Sequence, residues 1–478
     1  MLEVREDNLD NQIIYEKGRI KGSLFGFFVG DALGVPVEFV GREALRKNPV
    51  AKMLEYGTHK QPAGTWSDDS SMVIATMDLI INNRGINYGD MMDNFLKWYD
   101  QGEYTPGGVV FDIGISTSSA LSRYKRDKSS FTCGANDEYS NGNGSLMRIL
   151  PISLYLHYIE DPMFDVVKTI SSMTHAHIYS VLSCIIYSVY IDNYLREMNV
   201  RQAYANMQII LRKVLENYDM LGNLDDLRQK FNRIIYCDIS TLGEDDISSS
   251  GYVIDTLESC FWCLLNTNSY QEAVLKAVNL GGDADTIAAI TGGLAGLAYG
   301  YDGIPEDWIN TLKRKEYLDE LVDKYETVVS SLAIDKVLYE WKTGLGNMNK
   351  RLTGENPLPN KDMKADATSW ECAPFLKSRR LECHIALTPR EFEIISMGHI
   401  PEVMEDHWFM YCDENSINYF RSWSGIQIFK GYYRREKDSY IIYALEINDN
   451  KDEYDEEKID GDSISLFTSL IKAECQTY

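Results

Sequence analysis

The first two thirds of the chain show the spacing of amphipathic helices. From about residue 20 to 339, apolar positions recur three and four residues apart, the repeat of a helix with one buried face. Few stretches alternate in the manner of half-buried strands. We therefore predict one large all-α domain. The clearest helical segments are Met72–Ile81, Phe164–Met173, Ile178–Leu195, Tyr204–Leu215 and Tyr270–Val278.

The pattern changes after Trp341, where a polar run with glycines and two prolines follows. Such a composition is typical of a linker. Beyond it lie short β-prone runs, HWFMYC, YFRSW, IQIFKGYY and SYIIYALEI, which predict an antiparallel meander. We predict the all-α domain at 1–345, a linker at 346–369, and a small α+β accessory domain of unknown function at 370–478.

Charge and cysteine content narrow the class of protein. The net charge of −25 argues against general nucleic-acid binding, which needs a basic face. The first twenty residues are charged and lack the apolar run of a signal peptide. The uncharged run 169–191 is long enough to span a membrane, but its two histidines and several hydroxyls favour a buried helix. Nine cysteines, scattered and odd in number, suggest reduced thiols and a cytoplasmic protein. We also expect no membrane partner.

Two clusters of acids precede apolar helical runs. Asp283, Asp285 and Thr286 follow two glycines and lead into a helix of small side chains, which we expect to be central in the bundle. Asp68 and Asp69 likewise precede the apolar run SMVIATMDLII, with serine hydroxyls on either side. Each cluster can be a helix N-cap. Together, the four carboxylates can instead hold two hard divalent cations, which favour oxygen ligands.

Glycines mark two further segments. Asn141 to Ser145 alternate Asn and Gly before an apolar helix, so the backbone N–H groups can bind phosphate, although an ordinary capped loop is the alternative. Gly22, Gly26, Gly30 and Gly34 form one flat helical face, and close packing explains at least the first three. Asp31 and Glu38, near this stripe, are either surface acids or residues of the site.

Other polar residues in apolar surroundings are less specific. Asp112 is a lone acid between apolar neighbours, and burial without a function would be costly. His175 and His177 are two apart, so they diverge on a helix and are unsuited to sharing one zinc ion. Cys260 and Cys263 belong to a predicted helix interior, which favours core packing over redox or zinc chemistry.

Five segments in this order resemble the ADP-ribosylglycohydrolase family, which includes the dinitrogenase reductase-activating glycohydrolase. The resemblance covers roughly residues 19–340, about two thirds of the chain, and leaves the C-terminal domain uncovered. The segments are GDALGVPVEF (Gly30–Phe39), WSDDSSM (Trp66–Met72), NGNGSLMRILP (Asn141–Pro151), THAH (Thr174–His177) and GGDADTIAAITGGLAGLAYG (Gly281–Gly300).

The resemblance implies an all-α fold with two Mg²⁺ or Mn²⁺ ions. It implies proton transfer by Glu38 or Asp112, with Asp283 also catalytic, and it places Glu38 on a loop that is mobile in some members. Serines stand at 67 and 70 where the family usually has threonine. The implied metal ligands are Ser67, Asp68, Asp69, Asp283, Asp285 and Thr286. The implied substrate-binding residues are Asp31, Gly114, Asn143, Gly144, Ser145, Met147 and His177.

The expected activity is hydrolysis of the bond between the distal ribose of ADP-ribose and a modified protein or small molecule, with ADP-ribose as the product. The metals would orient the ribose hydroxyls and a water, and the transition state would be oxocarbenium-like. Two alternatives remain. One is an ADP-ribose-binding protein without turnover. The other is a two-metal phosphohydrolase, which would need a cationic clamp for which Arg148 is the candidate.

Overall fold

The computed structural model describes residues 3–477 except 160–162, 197, 218–223, 333–364, 368, 371, 376, 401–407, 423–424, 437–438 and 451–462. The chain divides into two compact units, Met1–Lys336 and Val337–Tyr478, each with a hydrophobic core of its own. Most of the predicted linker, 346–369, lies outside the described residues.

The first unit is mostly helical, as the apolar spacing predicted, and short 3₁₀ turns lie between the helices. The helices are α1 (Glu3–Gly34), α2 (Arg42–Lys47), α3 (Asp68–Asn83), α4 (Tyr88–Gln101), α5 (Ile115–Asp127), α6 (Leu150–Leu156), α7 (Met163–Ser172), α8 (Ile178–Leu195), α9 (Val200–Asn217), α10 (Leu224–Lys230), α11 (Asn232–Ile235), α12 (Val253–Leu265), α13 (Tyr270–Val278), α14 (Ala284–Tyr299), α15 (Glu306–Thr311) and α16 (315–332).

Helices α1 and α14 pack backbone against backbone at the centre of this unit. A Cβ atom added to Gly30 would lie 2.1 Å from the carbonyl oxygen of Ala288, and one added to Gly34 would lie 2.2 Å from Cα of Asp285. These distances are far below a normal contact, so only glycine permits this approach. The predicted close packing of the glycine stripe is confirmed and extends to Gly34, which places the start of α14 directly against α1.

Two helices pass a length and hydropathy criterion for spanning a membrane, Gly18–Val37 and Ile178–Leu195. Of these two segments, 94% and 83% respectively are buried within the first unit. The second segment overlaps the uncharged run 169–191, for which a buried helix was expected. Cys260 and Cys263 are likewise buried within α12, so their role is core packing.

The second unit is a small antiparallel sheet with helices. Its strands lie in the order β1-β5-β4-β3-β2, so β2 to β5 form the predicted meander. Phe467 and Ile471 of the last helix lie in the core of this unit. Strand β1 was not predicted, because its burial alternates between exposed and half-buried and its sequence is polar. The elements are β1 (Ser378–Leu387), α17 (Pro389–Met397), β2 (Trp408–Cys412), β3 (Ser416–Arg421), β4 (Gln427–Glu436), β5 (Ser439–Asn448) and α18 (Ser463–Thr477).

Candidate active site

The N-terminus of α3 is held by a buried carboxylate of α1. Asp31 accepts hydrogen bonds from the backbone N–H of Ser67 at 2.9 Å and of Ser70 at 3.0 Å, and from the Ser70 hydroxyl at 2.6 Å. Ser67 is the N-cap of α3, and its Oγ accepts from the N–H of Asp69 at 3.2 Å. Because these groups satisfy the first turn of α3, Asp68 and Asp69 are not needed as caps.

The N-terminus of α14 is built by two glycines with left-handed backbone, Gly281 at φ 69° and Gly282 at φ 70°. Asp283 occupies the N-cap position, but its side chain makes no capping hydrogen bond to α14. Its Oδ2 instead accepts a 2.7 Å hydrogen bond from the amide of Asn143. Asp285 follows two residues after Asp283, and its Oδ1 accepts a 2.9 Å hydrogen bond from the N–H of Thr286. The cap interpretation therefore fails for Asp283.

The two helix starts bring their carboxylates together with those of the α1 region. Oxygens of Asp31, Asp69 and Asp285 lie within 4.8 Å of one another, and so do oxygens of Glu38, Asp283 and Asp285. Oδ1 of Asp69 and Oδ2 of Asp285 are buried and have no hydrogen-bond partner among the residues that the structure describes. An orphaned buried carboxylate oxygen is costly. A cluster of carboxylate oxygens with available lone pairs fits hard divalent cations such as Mg²⁺ or Mn²⁺.

Burial and mutual repulsion raise the pKa values of these acids. Burial is the main cause for Asp68, Asp69 and Asp285, whose pKa values lie well above the usual range, with neighbouring carboxylates adding to the rise. The pKa of Asp283 is also raised by burial. Burial raises the pKa of Asp31 only to about 6, because its hydrogen bonds from Ser67 and Ser70 favour the charged form. Cations bound among these oxygens would lower the pKa values of the acids again.

Glu38, Asp112 and His59 form a second group beside this cluster. One oxygen or nitrogen of each lies within 4.8 Å of the others, and Nε2 of His59 forms a short hydrogen bond with the Glu38 carboxylate. Burial, followed by the charges of Asp112 and Asp283, raises the pKa of Glu38 to about 10. Glu38 and Asp112, both predicted to be catalytic, are thus side by side and next to the start of α14.

The segment that carries Glu38 is tied to its surroundings on both sides. The N–H of Phe39 donates to the carbonyl of Gly282 at 2.6 Å, and the N–H of Gly282 donates to the carbonyl of Val40 at 3.0 Å. The hydroxyl of Thr58 donates to the carbonyl of Glu38 at 2.7 Å. These bonds fix the Glu38 backbone against α14, although the family resemblance had implied a mobile loop for some members.

The glycine-rich loop lies between α8 and α12. Asn143 bridges this loop to the acid cluster, because its amide donates to Asp283 and, at 2.9 Å, to Thr256 of α12. A Cβ on Gly144 would lie 2.6 Å from Cε1 of His175, so this histidine packs directly on the loop. Ser145 is fully buried, and its Oγ accepts from Ser171 at 2.8 Å.

The remaining predicted substrate-binding residues lie in varied surroundings. The Met147 side chain is buried in the core, whereas Gly114 is exposed at the start of α5. His177 is the N-cap of α8, and its Nδ1 accepts from the N–H of Tyr179 at 3.2 Å.

Arg148, the candidate phosphate clamp, is fully buried and donates to the carbonyl of Ile170 at 2.9 Å. A buried Arg148 cannot clamp a substrate phosphate, which removes the support for a phosphohydrolase.

Comparison with known proteins decides the family. The family model described as ADP-ribosylglycohydrolase matches residues 13–333, which contain every element of the site. The chain belongs to the ADP-ribosylglycohydrolase family. The matched range ends before the β-sheet unit, as the motif resemblance indicated.

Several members of the ADP-ribosylglycohydrolase family are similar over the same region. An ADP-ribosylarginine hydrolase Tri1 from Pseudomonas putida is 30% identical over 322 residues, 67% of this chain and 81% of the relative. An enzyme of the same name from Serratia proteamaculans is 32% identical over 306 residues, 64% of this chain and 78% of the relative. The ADP-ribosyl-[dinitrogen reductase] glycohydrolase of Rhodospirillum rubrum is 26% identical, covering 62% of this chain and 91% of that enzyme.

A solved structure shares the fold. It is titled "ADP-ribosylglycohydrolase-related protein complex", superposes with a TM-score of 0.52 and 26% sequence identity, and covers 66% of this chain and 99% of the solved one. Family membership and these relatives support a hydrolase of glycosidic bonds.

Two histidines of the site were not identified from the sequence. His59 lies between α2 and α3 in a loop without a recognisable motif, so only the folded chain brings it to Glu38. His175 belongs to the THAH segment, where the sequence favoured His177. The burial of His175, which lowers its pKa to about 3, and its contact with Gly144 depend on the packing of α7 and α8.

Proposed function

We propose that this protein is a divalent-metal-dependent hydrolase that removes ADP-ribose from ADP-ribosylated arginine and releases free ADP-ribose. The observation that carries the proposal is the pair of unpartnered buried oxygens, Oδ1 of Asp69 and Oδ2 of Asp285, at the helix starts of a family member. No donor in the described part of the chain satisfies them, so two strong ligand atoms are available for cations.

The cation ligands would come from the two helix starts. Asp69, Asp283 and Asp285 point into one region, and Asp68 is buried next to them. Hydroxyls of Ser67 and Thr286 complete the set implied by the family motifs. Bound Mg²⁺ or Mn²⁺ would supply fixed positive charge for orienting ribose hydroxyls and for lowering the pKa of a water.

Glu38 and Asp112 would handle the protons of the reaction. The bond between the anomeric carbon and the leaving-group nitrogen breaks, and water supplies the oxygen of the new bond. One proton leaves that water, and one must reach the departing guanidine. Glu38 is held by His59 and, through the N–H of Phe39, by the Gly282 carbonyl, and Asp112 lies beside it. Two adjacent carboxyl groups are suited to passing both protons.

The glycine-rich loop would hold the remainder of the ligand. Gly142, Asn143 and Gly144 expose backbone next to His175, and Asn143 fixes this loop to Asp283. A diphosphate bound by the N–H groups of Gly142 and Gly144 would place the distal ribose towards the acid cluster, whereas the N–H of Asn143 donates to the carbonyl of Gly251 at 3.2 Å. Met147 and Ser145 would shape the loop from beneath, because their side chains are buried.

Arginine is the proposed target for two reasons. The two relatives at 30% and 32% identity are named ADP-ribosylarginine hydrolases. The family resemblance also matches Asp112 to the catalytic Asp of arginine-directed members, and the structure places Asp112 beside Glu38. Carboxylates at this position suit a cationic guanidinium leaving group.

A binding protein without turnover is the second candidate function. The crowded carboxylates argue against it, since a protein that only binds ADP-ribose has no need of the repulsion among Asp68, Asp69, Asp283 and Asp285. We also propose a cytoplasmic location. The eight cysteines whose side chains the structure describes are all free thiols, as expected in a reducing compartment.

The test is release of ADP-ribose from arginine- and serine-ADP-ribosylated peptides in the presence of Mg²⁺, Mn²⁺ or EDTA. We expect metal-dependent release from the arginine peptide, and a loss of at least about 100-fold in the Asp283→Asn/Asp285→Asn variant. Calorimetry with ADP-ribose separates the second candidate. Tight binding without release from either peptide would refute the hydrolase and support the binding protein.

A further inference from the structure

Two acid–phenylalanine pairs meet at His59. Glu38 is followed by Phe39, and Asp112 is preceded by Phe111. The centroid of the His59 ring lies 6.2 Å from that of Phe39 and 5.3 Å from that of Phe111. Nε2 of the same His59 ring forms a hydrogen bond with the carboxylate of Glu38. We call Phe39, His59 and Phe111 the aromatic platform.

Hydrophobic packing does not account for this platform. Phe39 is 67% exposed, although it is a large apolar side chain. Its backbone is left-handed at φ 63°, and that of Asp112 is left-handed at φ 56°. Such conformations cost free energy for residues with a side chain and persist only where the surroundings impose them. At Phe39, the 2.6 Å hydrogen bond from its N–H to the carbonyl of Gly282 holds the backbone in this left-handed conformation.

We propose that the aromatic platform recognises the planar cation of the leaving group, the guanidinium of an ADP-ribosylated arginine. The inference rests on the proposed function and adds the residues that select the substrate class. A guanidinium stacks on ring faces through cation–π attraction, and its N–H groups donate to carboxylates. Ring faces and two carboxyl groups occur together at this position. The ether oxygen of a serine linkage is neutral, so it offers no cation to the ring faces and no N–H group to the carboxylates.

The platform is tested by kcat/KM for arginine- and serine-ADP-ribosylated peptides with Phe39→Leu and Phe111→Leu variants of the full chain. Leucine keeps an apolar side chain but removes the ring face. We expect a loss of about 3- to 30-fold on the arginine peptide. We expect a change within about twofold on the serine peptide, and a Kd for ADP-ribose equal to that of the wild type.

A matched control is Phe131→Leu. Phe131 is 64% exposed and lies beyond the C-terminal end of α5, whereas Asp112 precedes its N-terminal end. The thirteen residues of α5 separate the two by about 20 Å at 1.5 Å per residue. This variant should match the wild type on both peptides.

Four outcomes would overturn the platform. Equal losses on both peptides would show that the rings serve general packing, and unchanged kcat/KM on the arginine peptide would show that they do not contact the leaving group. A wild-type enzyme that cleaves only the serine peptide would refute the platform but leave the hydrolase intact. Failure of the wild type to release ADP-ribose from either peptide would instead refute the proposed function and the platform together.

Discussion

The buried carboxylates of the site differ in how their oxygens are satisfied. Asp31 accepts three hydrogen bonds from the start of α3, which stabilise its charged form. Asp285 has one oxygen bonded to Thr286 and the other without a partner. The Asp31 carboxylate therefore stabilises the start of α3, whereas the second oxygen of Asp285 needs a ligand from outside the chain.

The same substitution should have opposite effects at these two positions. Asp285→Asn removes a charge from a repulsive cluster, so we expect the metal-free protein to gain about 1 kcal/mol in the free energy of unfolding while activity is lost. Asp31→Asn puts an amide where two backbone N–H groups need acceptors, and we expect a loss of about 1–3 kcal/mol. Urea unfolding in EDTA measures both. A metal-free Asp285→Asn protein less stable than the wild type would contradict this account.

At the scale of elements, the α1–α14 pair determines the site geometry. Gly30 and Gly34 let the two backbones touch, and this contact places Asp31 of α1 near Asp285 of α14. Because the approach is set by the absence of side chains, it is sensitive to a single methyl group.

Gly30→Ala should be strongly destabilising. The new Cβ would lie 2.1 Å from the backbone of Ala288, so the helices must separate, and we expect a loss of about 1–3 kcal/mol together with reduced activity. Gly18→Ala on the same helix is the matched control. No atom of the described part of the chain lies within 4 Å of the Cβ it would add, so we expect a change of zero or a gain of up to about 1 kcal/mol. Equal melting temperatures for the two variants would refute the proposed packing.

Much of the element structure was predictable from local sequence, and the exceptions have physical causes. Apolar spacing predicted the helices, the acids before two apolar runs predicted which helix starts carry carboxylates, and the motif resemblance implied their role as metal ligands. Strand β1 was missed because its polar sequence has only one half-buried face. The position of His59 was missed because His59 lies in a loop and contacts Glu38 only once the chain has folded. No local sequence pattern encodes such a contact.

At the scale of the whole molecule, the acid cluster should make stability depend on pH. An acid with a higher pKa in the folded than in the unfolded state binds more protons when folded, so the free energy of unfolding falls as pH rises. Glu38, whose pKa is raised to about 10, keeps this effect above neutral pH. The pKa values of Asp69 and Asp285 are also raised, mainly by burial, and act in the same direction. His175, with its pKa lowered to about 3, opposes it only below about pH 6.5.

We therefore expect the melting temperature in EDTA to fall between about pH 6.5 and pH 8.5. Saturating Mg²⁺ should reduce this fall, because bound cations neutralise the carboxylates without protons. Thermal unfolding at several pH values, with and without Mg²⁺, measures the difference. A metal-free melting temperature that rises with pH over this range would contradict the assignment of a repulsive acid cluster.

The central claim is that the helical unit hydrolyses ADP-ribosyl linkages with cations held by the acids of α3 and α14. Its most direct test is removal and restoration of metal in one preparation of the full chain, with ADP-ribose release from an ADP-ribosylated arginine peptide as the readout. We predict that EDTA abolishes release, that excess Mg²⁺ or Mn²⁺ restores it, and that neither restores it in Asp69→Asn. Release that continues unchanged in EDTA, or an Asp69→Asn enzyme with wild-type activity, would contradict the account.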